Sequence, residues 1–158
     1  MKGFTHLAGG ALAGLCISKA VCPDQLMETA LVVGSCAAGS LLPDIDVGTS
    51  KLGNKFPALS YTLQFIFGHR GIFHSLLLWA IPIYNLYVAF PQFRLYTLCC
   101  GGGILTHLFL DMLNPSGVPL MWPHNYRFRI AGFHSGGLAD WILGLVLMFC
   151  CMFVFHCI

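Results

Sequence analysis

Five long apolar runs, with almost no charge inside them, constrain what this chain can fold into. They cover residues 4–21, 26–42, 72–90, 95–113 and 138–158. A helix of about 18 apolar residues crosses the roughly 30 Å hydrocarbon core of a bilayer. Only 9% of the 158 residues are charged, whereas ordinary globular domains carry about a quarter. The sequence therefore predicts a single all-α domain over residues 1–158, a polytopic membrane bundle with about five transmembrane helices.

Two longer polar segments, residues 44–67 and 114–137, separate these runs, and we expect both to be loops on the same face of the membrane. With five crossings, that face also holds the N-terminus and six of the eight Lys and Arg residues. The six are Lys2, Lys51, Lys55, Arg70, Arg127 and Arg129. The positive-inside rule places this face in the cytoplasm. We therefore expect an inner-membrane protein with a cytoplasmic N-terminus, two cytoplasmic loops and a periplasmic or extracellular C-terminus.

The charge pattern argues against two classes of function. The net charge is only +2 and the sequence has no Lys/Arg cluster. The chain therefore lacks the basic surface that contacts the phosphates of a nucleic acid. Transporters place their polar residues near the middle of the bilayer, whereas here the polar residues gather at one end of the predicted bundle. The expected partners are the lipid bilayer and an amphiphilic substrate such as a phospholipid.

Most of the His and Asp residues fall at the predicted cytoplasmic ends of the helices. They are His6 in the first run, Asp44 and Asp46 after the second, His69 and His74 before the third, His107 and Asp111 late in the fourth, and Asp140 early in the fifth. Ionisable groups at this depth are costly unless they bind something. Imidazole and carboxylate groups are also ligands for divalent metals. Their joint placement at one end of the bundle predicts a metal site.

The spacing within two of these segments agrees with a metal site. His107 and Asp111 are four residues apart, so a helix places them on one face about 6 Å apart, where one metal or two adjacent metals could bind. Asp44 and Asp46 follow Pro43, which ends the second helix. In a non-helical segment both carboxylates can point the same way.

Each of these features has another interpretation when taken alone. A His-x-x-x-Asp pair occurs by chance in many helices, and Asp-x-Asp after proline is common where a helix ends. A negative charge such as Asp140 is favourable at a helix N-terminus without binding anything. His124 and His134 fit ordinary loop residues, and Arg70 fits a cytoplasmic anchor.

The predicted cofactor is a divalent metal, with zinc the first choice and manganese the second, in one to three ions. Mixed imidazole and carboxylate ligands suit both metals, and carboxylates readily bridge metal pairs. No cysteine lies near these positions in the sequence, which argues against a thiolate-bound structural zinc. The predicted ligands are His69, His74, His107, Asp111, Asp44 and Asp46, with His6 as a further candidate.

The same motifs resemble a known family. Thr5-His6, Pro43-Asp44-Ile45-Asp46, His69-Arg70-Gly71 with His74-Ser75, and His107 with Asp111 occur in an order and spacing similar to the YdjM-type family. These are bacterial inner-membrane proteins described as metal-dependent hydrolases, some under LexA control. The family is in turn similar in motif order to zinc-dependent phospholipases C. The phospholipases also use a further His and a His-x-x-x-Glu late in the chain, where this sequence offers His124, His134 and Asp140.

The resemblance implies metal-dependent hydrolysis of a phosphoester, and the residues allow roles to be assigned. We expect a water activated by the metal to attack a phospholipid or another amphiphilic phosphoester at the cytoplasmic face. Asp46 or Asp44 would orient or deprotonate this water, and Arg70 would bind the substrate phosphate with its two-pronged guanidinium. The alternative is a non-catalytic metal-binding protein, a sensor or a scaffold, whose site only holds the helices together.

Overall fold

The computed structural model describes residues 1–48, 50, 53–55, 57–67, 72–124 and 126–156, and over these residues the chain is all-α with no β-strand. Its α-helices are α1 (Gly3–Val21), α2 (Leu26–Gly39), α3 (Pro57–Phe67), α4 (Leu76–Ala89), α5 (Arg94–Met112) and α6 (Leu138–His156). Short 3₁₀ helices cover Leu42–Asp46, Gly53–Lys55, Ile72–His74 and Pro91–Phe93. The all-α prediction is confirmed for this part of the chain.

Among the residues that the structure describes, four helical segments are long and apolar enough to cross a membrane. They are Gly3–Val21, Leu26–Asp46, Pro91–Met112 and Leu138–His156, and they match four of the five predicted spans. The remaining prediction, a span over residues 72–90, differs from the structure because α4 has only 14 residues, with Pro82 inside it. The predicted count of five spanning helices is therefore not confirmed by helix length.

The two predicted polar loops have different outcomes. Residues 44–67 were expected to be a loop, but the structure places the 11-residue helix α3 in the second half of this segment. Pro57 begins α3, a position that suits proline because its fixed φ matches the helix and no N–H is needed there. In the second loop, the described residues between Asn114 and Gly137 form turns and one isolated antiparallel bridge, Val118 with Phe128.

Close contacts between backbones bring α1, α2 and α5 together. Helix α1 packs against α2, α5 and α6, and α2 packs against α5. A Cβ atom at Gly10 of α1 would lie 2.6 Å from Ser40 Cβ, and one at Gly103 of α5 would overlap the backbone carbonyl of Cys36. Small residues at membrane helix interfaces allow this close approach. As a result, the His and Asp residues at one end of the bundle lie side by side.

Helix α6 presents most of its surface outward. Its buried residues are Asp140 and Gly144, while large apolar residues such as Leu138, Phe149 and Met152 are exposed. An apolar surface of this extent is stable only when something other than water covers it. Together with the four helices of spanning length, this surface fits a protein embedded in the lipid bilayer.

Candidate metal centre

Six of the predicted site residues meet at one end of the bundle, although they come from four separate segments. His6 lies in the first turns of α1, and His107 and Asp111 lie in the last turns of α5. The other three come from 3₁₀ helices: Asp44 and Asp46 follow α2, and His74 precedes α4. The side chain of Asp44 is 15% exposed, whereas those of the other five are at most 1% exposed.

Two of the predicted site residues, His69 and Arg70, lie outside the residues that the structure describes. Their roles as a metal ligand and a phosphate-binding residue stay predictions from the sequence.

His107 is oriented by the backbone of α2. Its Nδ1 atom lies 2.7 Å from the Ser40 carbonyl oxygen, and because a carbonyl only accepts, Nδ1 must carry the proton and donate it. The proton on Nδ1 leaves the lone pair on Nε2. Nε2 points at two carboxylates, 3.6 Å from Asp111 Oδ2 and 3.7 Å from Asp44 Oδ1. Metal-binding histidines in proteins are typically held in this way, with the far nitrogen bonded to a carbonyl or carboxylate.

His74 lies between the two aspartates of the Pro-Asp-Ile-Asp segment. Its Nε2 atom is 3.8 Å from Asp44 Oδ1 and 3.4 Å from Asp111 Oδ2. Its Nδ1 atom is 3.9 Å from Asp46 Oδ2. The two aspartates therefore approach opposite nitrogens of one ring, so that Asp44 faces the centre and Asp46 lies behind His74.

His6 lies flat against His107. The two rings are stacked, with their centroids 3.7 Å apart and their planes 14° from parallel. His6 Nε2 is 3.3 Å from Asp111 Oδ1, the carboxylate oxygen opposite the one that faces His74 and His107. The amino group of Met1 also forms an ion pair with this Oδ1 atom.

The buried imidazole nitrogens show what kind of ligand fits. Both nitrogens of His6, both of His74, and Nε2 of His107 make no hydrogen bond of ordinary geometry to any described residue, because the distances to the carboxylates, 3.3–3.9 Å, are too long or misaligned. A buried polar atom left without a partner costs about 1–3 kcal/mol. A cation among these nitrogens and the carboxylates would satisfy them together.

By distance alone, ligand atoms of the described residues that are close enough to share one ion form two overlapping groups. The first is Asp44, His74 and His107, and the second is His6, His107 and Asp111. Within each group the ligand atoms lie within 4.8 Å of one another. The donor set of imidazole and carboxylate therefore fits a divalent metal ion.

Three residues that the sequence left open lie outside both groups. Asp140 is buried, and its carboxylate accepts hydrogen bonds from the Lys2 and Gly136 amides and from the Thr5 hydroxyl. These bonds attach the start of α6 to the start of α1, one residue before His6. His124 and His134 are exposed.

Sequence reasoning missed the Ser40 carbonyl that orients His107, because a backbone acceptor leaves no signal in residue identity.

Comparison with known proteins gives a match over the whole chain. The family model described as YdjM inner membrane protein matches residues 1–158. The chain is 32% identical to "Uncharacterized protein YvsG" of Bacillus subtilis (strain 168), covering 99% of this chain and 98% of that protein. It is 39% identical over 103 residues to "Inner membrane protein YdjM" of Escherichia coli (strain K12), covering 63% of this chain and 53% of that protein. "Inner membrane protein YbcI" of the same organism is 28% identical over 126 residues, 75% of this chain and 65% of that protein. No solved structure matches.

Proposed function

The chain belongs to the family of YdjM inner membrane proteins, and we propose that it is a metal-dependent hydrolase that cleaves a phosphoester of an amphiphilic substrate at the membrane surface. The similarity to zinc-dependent phospholipases C stays a prediction. What supports the hydrolase proposal is the chemistry and position of the buried His/Asp centre.

The observation that carries the proposal is the group formed by Asp44, His74 and His107. Three protein ligands are the usual number in catalytic zinc sites, which keep a fourth position for water or substrate. A tetrahedral zinc site with bonds of about 2.0–2.1 Å has ligands about 3.3–3.5 Å apart. The distances from Asp44 Oδ1 to the Nε2 atoms of the two histidines, 3.8 and 3.7 Å, require only a small contraction to reach that spacing. We propose zinc, with manganese as the second choice.

The side chains in and around this group can take different roles in hydrolysis. A bound divalent cation supplies a water of lowered pKa and polarises the phosphoryl oxygen. Asp44 is the partly exposed member of the group, so with Oδ1 on the metal its second oxygen would be the one able to meet an incoming substrate and accept a proton. Asp46 lies behind His74 and would hold that ring in place, as carboxylates behind metal-binding histidines do. Arg70 is proposed, from the sequence alone, to bind the phosphate.

The position of the centre favours a substrate that resides in the membrane. We propose that α4, with the turns on either side, completes a fifth crossing. It begins next to His74 at the metal centre and ends beside the start of α5, at the opposite end of the bundle. Its 14 residues rise about 21 Å as a helix, and the flanking turns add the remainder. Five crossings and the positive-inside rule put the centre on the cytoplasmic side, where lipid head groups are within reach.

One observation favours the non-catalytic alternative, in which the metal only holds the helices together. All three described histidines of the centre have fully buried side chains, and a closed site is typical of structural metals. The two functions differ in one testable respect. A hydrolase contains groups whose removal stops turnover while the metal stays bound, and a structural or sensing site contains none.

The test uses the protein purified in detergent, stripped with a chelator and reloaded with Zn²⁺ or Mn²⁺. Turnover is measured on a phospholipid and on a generic phosphodiester, and metal content by elemental analysis. We expect metal-dependent turnover in the wild type and loss of both metal and turnover in His107→Ala. His134→Ala is the matched control, since His134 is exposed and outside both groups, and it should behave like the wild type.

A second variant separates catalysis from binding. Arg70→Ala should keep its metal but lose about 10²–10³ in rate, the usual value of one hydrogen bond to developing charge. Arg70→Lys should recover little, because a point charge does not reproduce the planar guanidinium. Stoichiometric metal without turnover on any phosphoester in the wild type would reject the hydrolase and leave the metal-binding protein.

A further inference from the structure

The stacking of His6 on His107 limits how many ions the centre can hold. The lone pair of an imidazole nitrogen lies in the plane of its ring, so a metal ion bound to it lies close to that plane. The two rings are stacked 3.7 Å apart and only 14° from parallel. Planes in this arrangement do not meet within a metal–nitrogen bond length of about 2.0–2.1 Å. One ion therefore cannot bind both rings in their planes.

Asp111 offers one carboxylate oxygen to each side of the stack. Oδ2 lies 3.4 Å from His74 Nε2 and 3.6 Å from His107 Nε2, on the side of the Asp44 group. Oδ1 lies 3.3 Å from His6 Nε2, on the other side. A carboxylate with its two oxygens turned to two separate sets of nitrogens is the arrangement that bridges a pair of metal ions.

We infer that the centre holds a second divalent cation, bound by His6 and by Asp111 Oδ1, with Asp111 bridging it to the ion at Asp44, His74 and His107. This inference rests on the proposed metal site and adds a second ion to it. The ring separation of 3.7 Å sets roughly the smallest spacing the two ions could have, and a bridging carboxylate would hold them near it, in the range of about 3.5–4 Å found in two-metal hydrolytic sites.

The surroundings of His6 support a cation rather than a packing role. Its side chain is fully buried, and neither of its ring nitrogens makes a hydrogen bond to a described residue. The Met1 amino group also forms an ion pair with Asp111 Oδ1, so this oxygen already faces one positive charge. A metal ion there would share or replace that contact. With two ligands among the described residues, we expect this ion to bind more weakly than the first and to be lost first on dialysis.

Metal counting in the purified protein tests the inference. Wild type reloaded with Zn²⁺ or Mn²⁺ and freed of excess metal is expected to contain two ions per chain. His6→Phe keeps an aromatic ring against His107 but removes the ligand, and it should contain one. His124→Ala is the matched control, because His124 is exposed and outside both groups, and it should keep two.

A spectroscopic measurement on the wild type alone covers the case in which His6→Phe does not fold. With two Mn²⁺ ions about 4 Å apart, the electron paramagnetic resonance spectrum should be that of a spin-coupled pair and should convert to the spectrum of an isolated ion as the weaker ion is removed. One ion per chain and an uncoupled spectrum in the wild type would overturn the second site and leave the proposed function standing. No bound metal in the wild type would overturn both. Two ions in both the wild type and His6→Phe would overturn the assignment to His6.

Discussion

Gly103 on α5 is a position where one added methyl group should disturb the metal centre from a distance. A Cβ atom there would overlap the Cys36 carbonyl oxygen and lie 2.8 Å from both the Cys36 carbonyl carbon and the Ser40 amide nitrogen. These are backbone atoms, so no side chain can rotate away. To bring the overlapping Cys36 oxygen back to ordinary van der Waals contact, α2 and α5 must move apart by about 1.4 Å.

This displacement acts on His107, which lies one turn further along the same face of α5. The His107 Nδ1 atom donates to the Ser40 carbonyl oxygen over 2.7 Å. Adding the displacement lengthens that distance to about 4.1 Å, well beyond the normal range for an N–H···O bond. Overpacking of this kind typically costs about 1–3 kcal/mol of folding free energy. Loss of the partner that orients a metal-binding imidazole typically lowers metal affinity about 10–100-fold.

The assay compares Gly103→Ala with Gly102→Ala, which adds the same methyl group one position earlier. At Gly102 a Cβ atom would meet only Ile17 Cδ1, at 3.7 Å, an ordinary contact. Zinc affinity is measured by competition with a chelating dye, and stability by thermal unfolding in detergent. We expect Gly102→Ala to match the wild type and Gly103→Ala to lose both affinity and stability. Equal zinc affinity in the two variants would refute the coupling of the α2–α5 contact to His107.

Two further predictions concern the end of the bundle that holds the centre. Asp140→Asn should lower the free energy of unfolding by about 1–3 kcal/mol, because an amide cannot accept all the bonds from Lys2, Thr5 and Gly136, while metal content stays that of the wild type. Loss of one ion in this variant, measured by elemental analysis, would instead make Asp140 a ligand. A reporter fused after Ile158 should read periplasmic and one inserted near Gly53 cytoplasmic, and the reverse pattern would place the centre on the outer face.

The sequence predicted the convergence of the site residues better than their contacts. Apolar runs determine which ends of the helices share a side of the membrane, so His6, His107 and Asp111 could be assigned to one end without a structure. The spacing did not reveal that Asp44 and Asp46 face opposite nitrogens of His74. That result depends on the 3₁₀ turn after α2, whose geometry the residue types do not determine.

The length of α4 was misjudged for a related reason. Hydropathy continues through residues 72–90, yet the helix begins only at Leu76, because Ile72–His74 form a separate turn. Two contacts hold this turn: Trp79 Nε1 donates to the Phe73 carbonyl oxygen, and the Ser75 hydroxyl donates to the Leu120 carbonyl oxygen. Both bonds end on backbone carbonyls, and the Leu120 carbonyl lies 45 residues from its donor in sequence. Residue patterns do not show such acceptors, so the turn that carries His74 could not be separated from the helix in advance.

A metal with a purely structural role would add little to this architecture. Backbone contacts through glycine already hold α1, α2 and α5 together, so His6 and His107 would be close without any ion. The segment that a metal would newly attach is the turn carrying His74, and hydrogen bonds to Trp79 and Leu120 anchor its surroundings independently. Burying five imidazole nitrogens without hydrogen bonds to the described residues costs free energy, which a scaffold could avoid with apolar side chains. This free-energy cost is better explained if the site binds an ion that is needed for chemistry. Turnover in the reloaded protein is therefore the decisive measurement.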